Sequence, residues 1–121
     1  MNRFFKVLAA GSAAAALAVA GPALAHTRLV SSSPAANAKV TAPHTITLTF
    51  NERLVPAFSK FELSMPAHGM AVPVETTVSR DGKQIVGTVS GALAKGAYRV
   101  SWTAAGADGH KMTGTVNFQV D

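Results

Sequence analysis

The groups in this 121-residue chain that can do more than pack are four histidines, six carboxylates and four methionines, with no cysteine among them. Lack of thiols excludes a disulfide framework, a thiolate zinc site and dithiol redox chemistry. Two places stand out. The first is Asp108-Gly109-His110: in an extended segment, residues i and i+2 point to the same side, roughly 6.5–7 Å apart at Cα. A carboxylate and an imidazole so placed can share a metal ion, although the same three residues also make an ordinary hairpin turn that needs no ligand. The second is His26, whose chemistry depends on what precedes it.

Residues 1–25 carry Arg3 and Lys6, an apolar run over 7–20, and then Pro22-Ala23-Leu24-Ala25. A basic start, a short apolar stretch and an A-x-A end are the three parts of a secretory signal peptide, with cleavage expected after Ala25. The apolar run falls short of the roughly 20 residues that cross a bilayer. Removal of 1–25 makes His26 the first residue. A free α-amine and the Nδ1 of the same residue can then grip one ion in a six-membered chelate ring. The plainer alternative is that a polar residue simply stands at the cut. Taken together, the amine, the His26 and His110 imidazoles and the Asp108 carboxylate make a set of three nitrogens and one oxygen, a histidine brace. Such a tetragonal set suits Cu(II), which heads the Irving–Williams order.

The elements that must position these groups read as strands. Thr45-Ile46-Thr47-Leu48-Thr49-Phe50 alternates strictly, with Ile46, Leu48 and Phe50 on one face. Phe61, Leu63 and Met65 repeat the pattern, as do Tyr98, Val100 and Trp102, and then Gly114, Val116, Phe118 and Val120, with Met112 on the same inward parity. Shorter candidates are 29–32, 72–78 and 84–89, and turn residues such as Ser33-Pro34, Pro66, Arg80-Asp81-Gly82-Lys83, Lys95-Gly96 and Asp108-Gly109 separate them. Seven short strands at this spacing predict an all-β domain over 26–121, a small Greek-key sandwich or barrel of immunoglobulin-like or cupredoxin-like type. No helix of useful length is expected. Without residues 1–25 the domain has 96 residues, with nine Lys or Arg against six Asp or Glu. Those bases are scattered singly, without the basic stripe and stacking aromatics of a nucleic-acid binder. No second apolar stretch offers a membrane anchor, so the expected location is the bacterial periplasm.

The order of several blocks resembles the CopC family of periplasmic copper-resistance proteins, with its PcoC-type and YobA-type members. The blocks are His26-Thr27-Arg28-Leu29-Val30-Ser31-Ser32-Ser33-Pro34-Ala35, Leu48-Thr49-Phe50-Asn51-Glu52-Arg53-Leu54, Tyr98-Arg99-Val100-Ser101-Trp102 and Asp108-Gly109-His110-Lys111-Met112-Thr113-Gly114. The resemblance implies His26, Asp108 and His110 as Cu(II) ligands. It places Glu52 near the site, as a weak ligand or a group that orients His26; a strand-end carboxylate paired with Arg53 or solvent is the alternative. Some CopC proteins carry a Met-rich loop for Cu(I), and here the corresponding stretch is Met65-Pro66-Ala67-His68-Gly69-Met70. Met65, His68 and Met70 make at most a partial, weak second site, and Met65 is equally explained as core. Met112 and Trp102 are expected in the core and His44 in solvent.

What the resemblance implies is a carrier or buffer that takes up Cu(II) and passes it on by ligand exchange, beside an inner-membrane partner of CopD type. Two other readings differ in class. A histidine brace also occurs in copper monooxygenases that oxidise polysaccharides, but those need exposed aromatics, whereas the one Trp and one Tyr here sit on inward parity. A sandwich that serves only as an adhesion or chaperone module would leave His26, Asp108 and His110 a coincidence.

Overall fold

The alternation of Thr45–Phe50 is realised as a strand whose Ile46, Leu48 and Phe50 are buried while the threonines between them are not. In the computed structural model, which describes residues 26–121, nine strands follow in order. They are β1 (Leu29–Ser33), β2 (Lys39–Val40), β3 (Thr45–Phe50), β4 (Lys60–Met65), β5 (Met70–Val72), β6 (Val74–Val78), β7 (Gln84–Val89), β8 (Gly96–Ala105) and β9 (Lys111–Val120). The expected signal segment, 1–25, lies outside the described residues. Two single 3-10 turns, Pro56–Phe58 and Pro66–His68, flank β4. Four strands form one sheet in the order β1-β3-β7-β6, and five form the other in the order β2-β9-β8-β4-β5. The expected all-β sandwich is therefore the architecture found.

The strand count differs from seven for two local reasons. Pro73 has no N–H to give a ladder, and the single run expected over 72–78 breaks there. Its first part, β5, pairs with β4, and its second part, β6, pairs with β7 in the opposite sheet. The proline thus stands where the chain crosses the sandwich. The other addition, β2, is a two-residue strand parallel to the end of β9, with Lys39 opposite Gln119 and Val40 opposite Val120. Two residues are too few to show a period.

The core lies between the sheets and is filled by pairing large side chains with small ones. Phe61 of β4 projects at Gly87 of β7, where an added Cβ would fall 2.9 Å from two of its ring carbons and closer still to Cζ. Trp102 lies across Gly114, its cross-strand neighbour, and meets Phe50 of the other sheet edge-on at 5.1 Å between ring centres. Tyr98 stacks on Phe118 at 5.4 Å, and its hydroxyl donates to the carbonyl of Ala94 at 2.6 Å, four residues upstream. That contact is the tyrosine-corner device of sandwich folds, which gives a buried phenol its partner. Each fully buried large side chain contributes about 1.5–3 kcal/mol relative to exposure, and of these contacts the Trp102–Phe50 pair joins the two sheets.

The inward expectation fails at Met112. Val116, Phe118 and Val120 are buried, but Met112 is 37% exposed. Its parity is right, yet it stands opposite Ala104 in the next-to-last pair before the β8–β9 loop, two residues from the exposed His110. Solvent reaches that end of the sandwich. Trp102 and Tyr98 are buried, and His44 is exposed, as expected.

Candidate metal centre

The long β8–β9 hairpin ends in the loop 106–110. The Gly109 N–H donates to the Gly106 carbonyl at 2.9 Å, and Gly109 takes a φ of 85°, in the region that favours glycine. This turn swings Asp108 back onto His110. One oxygen of Asp108, Oδ1, accepts the His110 main-chain N–H at 3.0 Å, and Oδ2 lies 3.0 Å from His110 Nδ1. A carboxylate against Nδ1 keeps the proton on that nitrogen and leaves the Nε2 lone pair free for a ligand. The same contacts hold the Asp108 carboxyl below its ordinary range: the main-chain N–H of His110 does most, then the His110 side-chain hydrogen bond, with smaller contributions from the charges of His110 and His26. Both side chains are exposed.

An added Cβ on Gly106 would fall 2.5 Å from Thr27 Oγ1, so the fold brings the start of the described chain to the root of the β8–β9 loop. The connection runs through residues 51–55. Asn51 and Glu52 hold 26–28 by hydrogen bonds, among them Thr27 Oγ1 donating to Glu52 Oε1 at 2.9 Å. Two residues on, Leu54 bridges to Gly106, and the Val55 N–H donates to the Ala105 carbonyl at 2.8 Å. One short segment therefore grips both the start of the domain and the root of the β8–β9 loop. Glu52 is bonded to Thr27, whereas Arg53 packs beside Gly82 and its charge acts on Asp81. Among the described residues no three His, Asp or Glu side chains come together as a group that could hold a metal ion; what the fold brings together is a paired Asp108 and His110 on a loop whose root, Gly106, lies against Thr27, the neighbour of His26.

The methionine stretch is at the other end of β8. Met65 is buried at 8% exposure, with Met70 opposite it across β4–β5 and 54% exposed. His68 ends the exposed turn between them, closed by Gly69 at a φ of 60°. Met65 belongs to the core, as one of its two readings had it. A surface cavity of about 400 Å³ lies nearby, lined by Pro66, Ala67, Arg99 and Asn117 among others, and none of the candidate ligands borders it.

Three residues that shape this end escape a reading of the sequence: Thr27, Asn51 and Gly106. Thr27 is only 3% exposed although it precedes the first strand. Gly106 has no room for a side chain, because an added Cβ would fall 2.5 Å from Thr27 Oγ1 and closer still to Glu52 Oε1.

Comparison with known proteins decides the family. The profile of the CopC domain matches residues 29–121. The chain belongs to the CopC family. It is 42% identical over 113 residues to copper resistance protein C of Xanthomonas campestris pv. juglandis, covering 88% of each chain. The crystal structure of PcoC, a methionine-rich copper resistance protein from Escherichia coli, superposes with a TM-score of 0.73 at 38% identity, over 80% of this CopC-family chain and 100% of PcoC. Copper transport protein CutJ of Bacillus subtilis is 29% identical over 98 residues, which is 79% of this chain but 18% of CutJ. In CutJ, a domain of this kind is one part of a much larger protein.

Proposed function

We propose that this CopC-family protein is an exported Cu(II) carrier or buffer, active in copper resistance or homeostasis. In this reading residues 1–25 are removed after Ala25 in reaching the periplasm. The new amino terminus, the His26 imidazole, the His110 imidazole and the Asp108 carboxylate then hold one cupric ion. The observation that carries it is the Asp108–His110 pair, with Nδ1 engaged and Nε2 free, on a loop whose root, Gly106, lies against Thr27, the neighbour of the residue that cleavage would expose. Nitrogen and oxygen donors without a thiolate fit Cu(II). In the uncut chain the His26 nitrogen is an amide and a poor donor, so the chelate is completed only by processing.

Asp108 spends both oxygens on His110. To become the fourth donor it exchanges one of those contacts for the ion, and the other continues to orient the loop. Glu52 stands behind Thr27 and supports the site from there. Delivery is ligand exchange without turnover. The recipient is an inner-membrane copper transport protein of CopD type; the support is CutJ, a copper transport protein that contains a segment similar to this chain. Met65, His68 and Met70 give at most a weak Cu(I) site, since Met65 would have to leave the core to join one.

The test is a Cu(II) titration of protein exported by cells that express all 121 residues. One tight equivalent with a nitrogen-rich tetragonal EPR spectrum is expected. A variant with one residue inserted between Ala25 and His26 is exported with that residue in front, and its affinity should collapse. Equal binding by both proteins would remove the amine from the ligand set.

A further inference from the structure

Residues 26–28 belong to no strand, yet they are tied to the neighbouring segment by hydrogen bonds. Four hydrogen bonds do this, and all involve Asn51-Glu52. The Asn51 main-chain N–H donates to the Arg28 carbonyl at 3.2 Å. The Arg28 N–H donates to Asn51 Oδ1 at 2.8 Å, and Asn51 Nδ2 donates to the His26 carbonyl at 3.0 Å. Thr27 Oγ1 donates to Glu52 Oε1 at 2.9 Å. Three of the four belong to Asn51.

The side-chain amide of Asn51 offers one acceptor and one donor side by side, as a neighbouring strand would. It takes the N–H that follows Thr27 and gives to the C=O that precedes it. Both peptide planes flanking Thr27 are thereby fixed, and the buried hydroxyl of Thr27 pins the side between them. The plane that joins His26 to Thr27 is the one from which the His26 amine and imidazole hang. With that plane held, those two groups have only the rotations within residue 26 left to find an ion. The bridge from Leu54 to Gly106 then ties the same segment to the loop that carries Asp108 and His110.

We propose that Asn51 is a positioning residue, which sets the backbone of residue 26 toward the β8–β9 loop before any ion arrives. It touches no metal. The inference rests on the copper reading for what this positioning serves, while the clamp itself is a property of the metal-free protein. Only an amide does the work. An aspartate at 51 keeps the acceptor for Arg28 but sets a carboxylate oxygen against the His26 carbonyl, and an alanine has neither group.

The test compares exported parent protein with Asn51→Ala and Asn51→Asp. Supporting residues around a metal ligand commonly change affinity by about 10–100-fold. Cupric ion titrated against a chromophoric chelator should bind Asn51→Ala about 10–100-fold more weakly, with Asn51→Asp in between. EPR of the loaded Asn51→Ala protein should show more than one cupric species where the parent shows one, at a temperature well below its unfolding midpoint. In metal-free protein, the Arg28 amide should exchange with solvent faster in Asn51→Ala than in the parent. Parent-like affinity and a parent-like single spectrum in Asn51→Ala would overturn the proposal, as would unchanged Arg28 exchange. If Asn51→Ala does not fold, Asn51→Asp decides by the same readouts. If the parent itself binds no Cu(II), the copper reading falls, and Arg28 exchange alone decides whether the clamp exists.

Discussion

Replacing Gly106 with alanine puts a methyl group into space already taken. The ideal Cβ falls 2.5 Å from Thr27 Oγ1, nearer still to Glu52 Oε1, and 3.1 Å from Glu52 Cδ. Gly106 is not among the glycines with positive φ, so alanine meets no conformational penalty and the cost is steric. Thr27 is buried and clamped on both sides, so it has little room to retreat. Glu52 is half-buried and flexible, and its carboxylate gives way into solvent. That breaks the Thr27–Glu52 bond. A hydrogen bond to a charged group contributes about 1.5–3 kcal/mol, with the lower end fitting a half-buried partner, and residual overpacking at Thr27 adds about 1 kcal/mol. A loss of about 2–3 kcal/mol lowers the midpoint of a domain this size by about 10–20 °C. The assay is thermal unfolding of metal-free Gly106→Ala by circular dichroism, with Trp102 fluorescence as a second probe. Glu52→Ala supplies the control: with the carboxylate already gone, adding Gly106→Ala should cost less than it does alone. A midpoint within 2 °C of the parent, or full additivity in the double variant, would refute the packing argument.

Three other outcomes follow from the geometry. Gly87→Ala drives a methyl into the ring of Phe61 in the centre of the core and should destabilise by about 3 kcal/mol, with Phe61→Leu restoring part of the loss; urea unfolding of the three variants checks this. Burial raises the pKa of the Tyr98 phenol above its ordinary 10.0. The folded state therefore keeps a proton that the unfolded state releases. Stability is full below pH 10, falls as pH rises above it, and should fall less steeply in Tyr98→Phe, as measured by urea unfolding across that range. Cu(II) affinity should fall as pH drops through the range of a free amine and imidazole, about 8 and 6.5. Asp108, held below the usual carboxylate range mainly by the His110 main-chain N–H, stays ionised throughout. An affinity flat between pH 8 and 6 would contradict nitrogen ligation.

Strict alternation made the sandwich legible, because Ile46, Leu48 and Phe50, or Tyr98, Val100 and Trp102, leave no doubt about which face is inward. The run expected over 72–78 passed straight through Pro73, and that its two sides join opposite sheets depends on partners distant in sequence. Met112 shows the limit of parity: alternation says which face a residue takes, not whether anything covers it there. Spacing made Asp108 and His110 a candidate pair, and their side chains do meet, but spacing alone did not separate that pair from an ordinary hairpin turn. Asn51 was not legible, since a side chain that imitates a strand edge has no period and no chemical signature. Gly106 could have been suspected from its place beside the Ala107-Asp108-Gly109 turn, yet only the approach of Thr27 and Glu52 shows what its bare Cα is for.

The stitching of residues 51–55 to both 26–28 and 105–106 has a kinetic side. Groups about 80 residues apart in the chain meet only when the span between them has closed, and contacts of such long range are the slow ones to form. A nascent or half-collapsed chain, still missing its last hairpin, has no such meeting place to offer. On the proposed copper reading, capture of an ion would thus report on closure of the whole span from residue 26 to residue 110.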